Sequence, residues 1–199
     1  MSRVAGPRRP GPFARIAYLV AKRDYGKLPE PLEVTAHHPG ILRGYGVLEW
    51  ETGRASTVDA RLKDLAGTKA AVMVGCEFCI DIASAISTKA GVTAEQLADL
   101  PRYRESDRFD ETEKLVLDYA VAMTSTPALV PDELFDALHS RFSERQLVEL
   151  TSAIAIENYR ARFNWAFGIG SQGFAAGGAC ALPERPAGVA ADAAIGSTA

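Results

Sequence analysis

The chain has 199 residues, 47% of them apolar and 24% charged, and carries a formal net charge of −3. That is the balance of a globular protein with room for one generous domain or two small ones, and it gives no electrostatic reason to expect nucleic acid or an anionic membrane as a partner. Three cysteines are too few for a disulfide scaffold, so a reducing, cytoplasmic setting is the simplest one.

Residues 1–12 are rich in Pro, Gly and Arg and read as a flexible N-terminal segment. Arg8-Arg9 invites a twin-arginine export reading, but the stretch that follows is short, is interrupted by Arg15, and runs into Lys22-Arg23-Asp24 without a clean cleavage site. No stretch approaches the apolar length of a membrane span. Apolar residues at Phe13, Ile16, Ala17, Leu19 and Val20 predict a first helix over 13–24, stopped by Gly26, with a turn over 27–31. His38-Pro39 marks a boundary, because the residue before a proline is pushed away from helix. Ile41, Leu42, Tyr45, Leu48 and Trp50 then give a helical period over 41–51.

Thr57 is placed to cap a helix running to about residue 74, marked by Leu62, Leu65, Ala66, Lys69 and Val72. Gly75 breaks it, and a second helix is predicted from Cys76 to Lys89, ending at Gly91. Thr93 to Gln96 has the spacing of a capping box and opens a short helix ahead of Pro101. An acidic first turn, Asp110-Glu111-Thr112-Glu113, suits the dipole of a helix over 109–124, and Pro131-Asp132 opens another. Ser143 to Gln146 has capping-box spacing again and leads into the longest helix, to about residue 167. Residues 168–178 are glycine-rich and read as loop. The tail over 174–199, mostly Ala, Gly and Pro, reads as disordered or loosely draped. No run shows strand alternation with turn punctuation, so the predicted fold class is all-α.

The chemistry concentrates in Cys76-Glu77-Phe78-Cys79. Cysteines three apart share one face of a helix and can close a small disulfide. The attacking species is the thiolate, which a helix N-terminus, a nearby base or the two-cysteine arrangement itself can favour. Cys76 follows Gly75 at a helix start, where unpaired N–H groups favour negative charge. Two such cysteines can equally be ordinary small core residues. A zinc site would need more ligands than His37, His38 and His139 can supply, and the βαβ pattern of a thioredoxin-like protein is absent. Cys180, at the edge of the tail, has nothing nearby in sequence to activate it.

Lys63-Asp64-Leu65, eleven residues between Asp64 and Cys76, and then the two cysteines resemble the carboxymuconolactone decarboxylase superfamily, and within it the alkylhydroperoxidase D-like branch. His37-His38-Pro39-Gly40, Leu147-Val148-Glu149-Leu150 and the run from Glu157 to Asn164 add to the likeness, which covers roughly residues 12–173. The resemblance implies an all-helical bundle domain over 13–173 that assembles as a homo-oligomer, a dimer, trimer or hexamer. It implies reduction of a peroxide by a dithiol–disulfide cycle of Cys76 and Cys79, with Cys79 attacking, an external dithiol as electron donor, and no cofactor or metal. A carboxylate and a histidine relay protons in that branch. The carboxylate position holds Asp64, shorter than the usual Glu, and the histidine position holds Ala83. His37, His38 and Ser84 are the candidates to fill that gap. Asp81 would point away from Cys79 on an ideal helix and reads as solvated or ion-paired surface, as does Lys69, while Arg160, Arg162 and Asn164 read as parts of a packed helix. The alternatives are a lyase of the decarboxylase type, acting on a small lactone or carboxylic acid, and a non-catalytic redox-sensing oligomer.

Overall fold

Capping decides where the helices begin. The computed structural model describes residues 2–184, and its helices are α1 (Pro12–Tyr25), α2 (Glu30–Thr35), α3 (Pro39–Arg54), α4 (Ala60–Val74), α5 (Glu77–Lys89), α6 (Ala94–Asp99), α7 (Glu111–Thr124), α8 (Asp132–His139) and α9 (Glu144–Phe167), with a 3₁₀ turn at Leu100–Arg102. Full capping boxes form at Thr93/Gln96, Asp110/Glu113 and Ser143/Gln146, each satisfying two otherwise orphaned N–H groups. The fold is all-α, and no strand occurs among the described residues.

Helix α4 is the axis of the fold and packs on α5, α7 and α9. Its small residues let neighbours approach from two sides. Ala66 and Ala70 meet Val116 and Ala120 of α7 and Leu150 and Ile154 of α9, while Leu65, Ala71 and Val72 meet Phe78, Cys79 and Ile80 of α5 and Ala161 of α9. Leu65, Ala66, Ala70, Ala71, Leu150 and Ile154 are all fully buried. Truncating such a leucine costs about 2–5 kcal/mol. Gly75 ends α4 with φ 72°, a left-handed conformation that glycine adopts without a Cβ penalty. The chain therefore reverses in one residue and delivers Cys76 to the start of α5.

Two expectations from sequence change, and two further segments make contacts that the sequence did not show. Residues 27–31 are not only a turn, because Pro31 sits in the first turn of the short helix α2, where its missing N–H costs nothing. Thr57 does not cap α4. Its N–H and hydroxyl both bond the Glu149 carboxylate, and Asp59 accepts from Arg61 N–H instead. The N-terminal segment is docked, with Arg3 N–H donating to Phe167 C=O at 2.7 Å and His37 Nε2 lying 2.8 Å from Ala5 C=O. Residues 168–184 are fastened across α5, as described below. The expectation for residues 185–199 lies outside the described residues.

Candidate active site

Cys76 is the N-cap of α5, and its sulfur accepts the Cys79 N–H at 3.3 Å. The two sulfurs lie 2.7 Å apart, both cysteines are free, and each is only 2% exposed. The opposite wall is α9. Glu157, Ala161 and Asn164 lie four and three residues apart, so they share one face over two turns. Ala161 is fully buried and small, which brings α9 close. Asn164 Nδ2 reaches 3.3 Å from the Cys79 sulfur and 3.8 Å from that of Cys76.

Glu157 stands two turns before Asn164 on that face, close enough to the Cys79 thiol for each to shift the other's titration. Its Oε2 accepts from Arg160 Nη1 at 3.1 Å, and Arg160 is held in turn by Tyr45 OH at 3.0 Å and by both oxygens of Glu49. Among the described residues, Glu157 Oε1 and Asn164 Oδ1 are buried with no hydrogen-bond partner at ordinary geometry.

These contacts divide the charge between the sulfurs. The Cys79 thiol donating to it lowers the pKa of Cys76, helped by the Cys79 N–H and the Asn164 amide and opposed by burial and by Glu157. Cys79 moves strongly upward, because it donates within the pair, is buried, and has Glu157 beside it. Such a pair titrates as a unit, with the negative charge on Cys76. Cys79, the attacking thiol that the resemblance implies, is thus the better proton donor, and the helix start favours Cys76, as electrostatics alone would predict. Burial pushes the Glu157 carboxyl up, only partly offset by Arg160.

The other candidates are not brought to the sulfurs. The Asp64 carbonyl accepts from Thr68 and Ser87 hydroxyls. Ser87 stands eight residues beyond Cys79 on α5, about 12 Å along the axis at 1.5 Å per residue. Asp64 is desolvated enough to raise its pKa to about 6, with Lys63 opposing. His37 is exposed and holds the N-terminal segment, and His38 is exposed and caps α3 by accepting from Ile41 N–H at 3.1 Å. Ser84 is buried, with its hydroxyl accepting from Ala181 N–H at 3.0 Å.

Asp81 and Lys69 are not surface residues either. Asp81 is 4% exposed and accepts from the Ser171 hydroxyl and the N–H groups of Gln172, Phe174 and Ala175. Lys69 is 2% exposed, paired with Glu184 and seated 4.9 Å from the Tyr103 ring centre. Both hold down the segment 168–184. Sequence reasoning missed the place of Glu157. The signal was present in its seven-residue spacing to Asn164 and its three-residue spacing to Arg160 on one long helix. No group of three or more potential metal ligands occurs among the described residues, and no helix there is long and apolar enough to cross a membrane.

A model of the carboxymuconolactone decarboxylase family matches residues 39–122, from the start of α3 into α7. The uncharacterized protein YnjA of Escherichia coli is 32% identical over 165 residues, 82% of this chain and 88% of its own. Two solved structures share the fold. One is the alkylhydroperoxidase AhpD core of an uncharacterized peroxidase-related protein from Ralstonia eutropha, with TM-score 0.75, 18% identity and coverage of 87% of this chain and 94% of its own. The other is a cysteine-to-alanine variant of the debrominase Bmp8 in complex with 2,3,4-tribromopyrrole, with TM-score 0.74, 24% identity and coverage of 87% and 92%.

Proposed function

We propose, from the premise that the chain belongs to the carboxymuconolactone decarboxylase family, that it reduces an organic hydroperoxide through a Cys76/Cys79 dithiol–disulfide cycle. The observation that carries this reading is the sulfur pair itself, 2.7 Å apart at a helix start, with the Cys79 N–H and the Asn164 amide donating to the pair. The Cys76 thiolate attacks the outer peroxide oxygen. The O–O bond breaks, Cys76 becomes a sulfenic acid, and the alkoxide leaves and takes up a proton to give ROH. Cys79 then displaces hydroxide from Cys76, closing the disulfide and yielding water. An external dithiol returns both sulfurs to the reduced state by exchange. No step calls on a metal or an organic cofactor.

The surroundings of the pair favour an apolar substrate over hydrogen peroxide. Phe78, Phe163, Phe167 and Phe174 pack in the same cluster as the two cysteines. That aromatic lining also favours a second substrate class for the same dithiol, a brominated aromatic ring of the kind bound by the structurally similar debrominase. The decarboxylase-type alternative finds less support. It needs a cation with donors to spare for a substrate carboxylate, whereas Arg160 is engaged by Glu49, Glu157 and Tyr45, and Arg162 by Asn158 and Thr124. Exposed apolar residues on α1 and α3, among them Leu19 at 70% and Trp50 at 62%, support the homo-oligomer implied by the resemblance, and sedimentation measures its size.

The test is turnover of cumene hydroperoxide, hydrogen peroxide and a tribromopyrrole with a dithiol donor, wild type beside Cys76→Ser and Cys79→Ser. Both variants are expected to lose turnover, and only Cys79→Ser retains a sulfenic acid that dimedone traps. Bromide release without peroxide reduction would replace the peroxide by the halogenated ring as substrate. Unchanged turnover in both variants would refute the dithiol cycle.

A further inference from the structure

Neither the carboxylate nor any histidine suggested by the sequence lies against the sulfurs, yet closing the disulfide requires Cys79, only 2% exposed, to shed a proton. We propose that Glu157 is the catalytic proton carrier of this dithiol, taking the Cys79 proton as the disulfide forms and returning it to the departing hydroxide. This rests on the dithiol reading above.

The geometry favours Glu157 on three counts. It lies on the α9 face that carries Asn164, whose Nδ2 reaches 3.3 Å from the Cys79 sulfur, and the thiol and the carboxyl shift each other's titration. One of its oxygens is immobilised by Arg160, while the other, Oε1, is buried without a partner. The carboxylate is also anchored at a distance, because Arg160 is locked by Glu49 and Tyr45 of α3. A carboxylate tied at one oxygen and open at the other suits a group that must accept and release a proton without moving away. The charged and titratable groups facing this cluster are Arg160 on its own helix, Glu49 and Tyr45 from α3, Tyr25 at the end of α1, and Cys76 and Cys79 from α5. Burial pushes the Glu157 carboxyl up from its ordinary value, opposed by Arg160 and by the Cys79 thiol.

The step balances. With Cys76 already a sulfenic acid, the Cys79 thiol and the Glu157 carboxylate become a thiolate and a carboxylic acid. The thiolate forms the S–S bond, the Cys76 S–O bond breaks, and hydroxide leaves. The Glu157 carboxylic acid protonates it to water and is restored as carboxylate. The hydroperoxide is the two-electron oxidant, and no other co-reactant is consumed.

The experiment reads this step without peroxide turnover. Reduced protein is oxidised stoichiometrically by diamide, and disulfide formation is followed across pH for wild type, Glu157→Gln, Glu157→Asp and Asp64→Asn. In Glu157→Gln, closure at neutral pH is expected to slow by about 10²-fold, the lower range for losing a general base, and to rise with pH without the carboxylate inflection. Glu157→Asp keeps a carboxylate that Arg160 can hold, so it is expected to recover part of the rate with a displaced inflection, and it serves as the readout should Glu157→Gln fail to fold. A wild-type rate and profile in Glu157→Gln, or in Glu157→Asp if only that variant folds, would overturn the proposal. So would a profile that moves in Asp64→Asn instead. If diamide closure depends on Glu157 but no hydroperoxide is turned over, the peroxide reading fails and the proton carrier stands.

Discussion

Two buried carboxylates near the first turns of α5 are chemically alike and behave in opposite ways. Asp81 and Glu157 are 4% and 6% exposed, and burial pushes each carboxyl up. At Asp81, donors from Ala175, Phe174, Ser171 and Gln172 together outweigh burial and hold it below the usual carboxylate range. At Glu157, the Arg160 guanidinium and the Cys79 thiol together do not, and the group stays above that range. Burial alone therefore says nothing about role. The number of donors aimed at the charge separates a carboxylate that fastens the chain from one able to exchange a proton.

Removing the fastening carboxylate is expected to give the largest effect. Asp81→Ala removes the acceptor of three N–H groups and one hydroxyl on half-buried or exposed residues, and hydrogen bonds to a charged group contribute about 1.5–3 kcal/mol each. Denaturant unfolding should show a loss on the order of 3 kcal/mol or more, and limited proteolysis should cut first within 168–184. Wild-type stability in this variant would mean that Phe174, seated edge-on to Phe78 at 5.7 Å, holds the segment without the carboxylate.

The acid side sharpens the contrast further. An Asp whose folded pKa lies below its unfolded value, about 3.9, contributes stability that is fully present above that value and lost as pH falls through the folded one. Asp81 should therefore make the protein lose stability below about pH 4, and Asp81→Asn should flatten that slope in pH-resolved thermal unfolding. Glu157 has the opposite sign, since its raised pKa makes folding cost more as pH rises past its unfolded value, so Glu157→Gln should leave the acid slope intact.

A smaller effect belongs to Asn164. Hydrogen bonds to charged groups contribute about 1.5–3 kcal/mol, and this amide is shared between two sulfurs. Asn164→Ala is expected to raise the pKa of Cys76 by about one unit, seen as a shift in the thiolate absorbance near 240 nm. No shift would mean that the Cys79 N–H and thiol suffice.

The smallest effect falls on Asp64. Its folded pKa of about 6 lies above the unfolded value, so its cost to folding appears as pH rises through about 4 and is complete above the folded value. After solvent screening, Asp64→Asn should stabilise the protein by on the order of 1 kcal/mol at pH 8 and by nothing at pH 4. A stability gain that persists at pH 4 would show that a lost packing conflict, not charge, is responsible.

Most of the helical fold was legible because its signals are local. Capping residues, glycine stops and the apolar period act within one or two turns, and Gly75 with the two cysteines three apart fixes the reversal and places Cys76 at a helix start whatever the rest of the chain does. Helix α2 escaped because Pro31 reads as a turn residue when only its neighbours are considered. The site was legible only in part. Sequence placed the sulfurs, but the group that reaches them comes from α9, almost eighty residues on from Cys79, and a contact across that distance leaves no mark in the local pattern. Only packing on α4 could bring Glu157 and Asn164 to the thiols, leave Asp64 at the other end of α5, and turn Asp81 and Lys69 from apparent surface charges into anchors for the 168–184 segment. Sequence by itself determined most of the helices and the dithiol. Tertiary structure decided which carboxylate faces it, because a helix period states which residues share a face but not which face meets another.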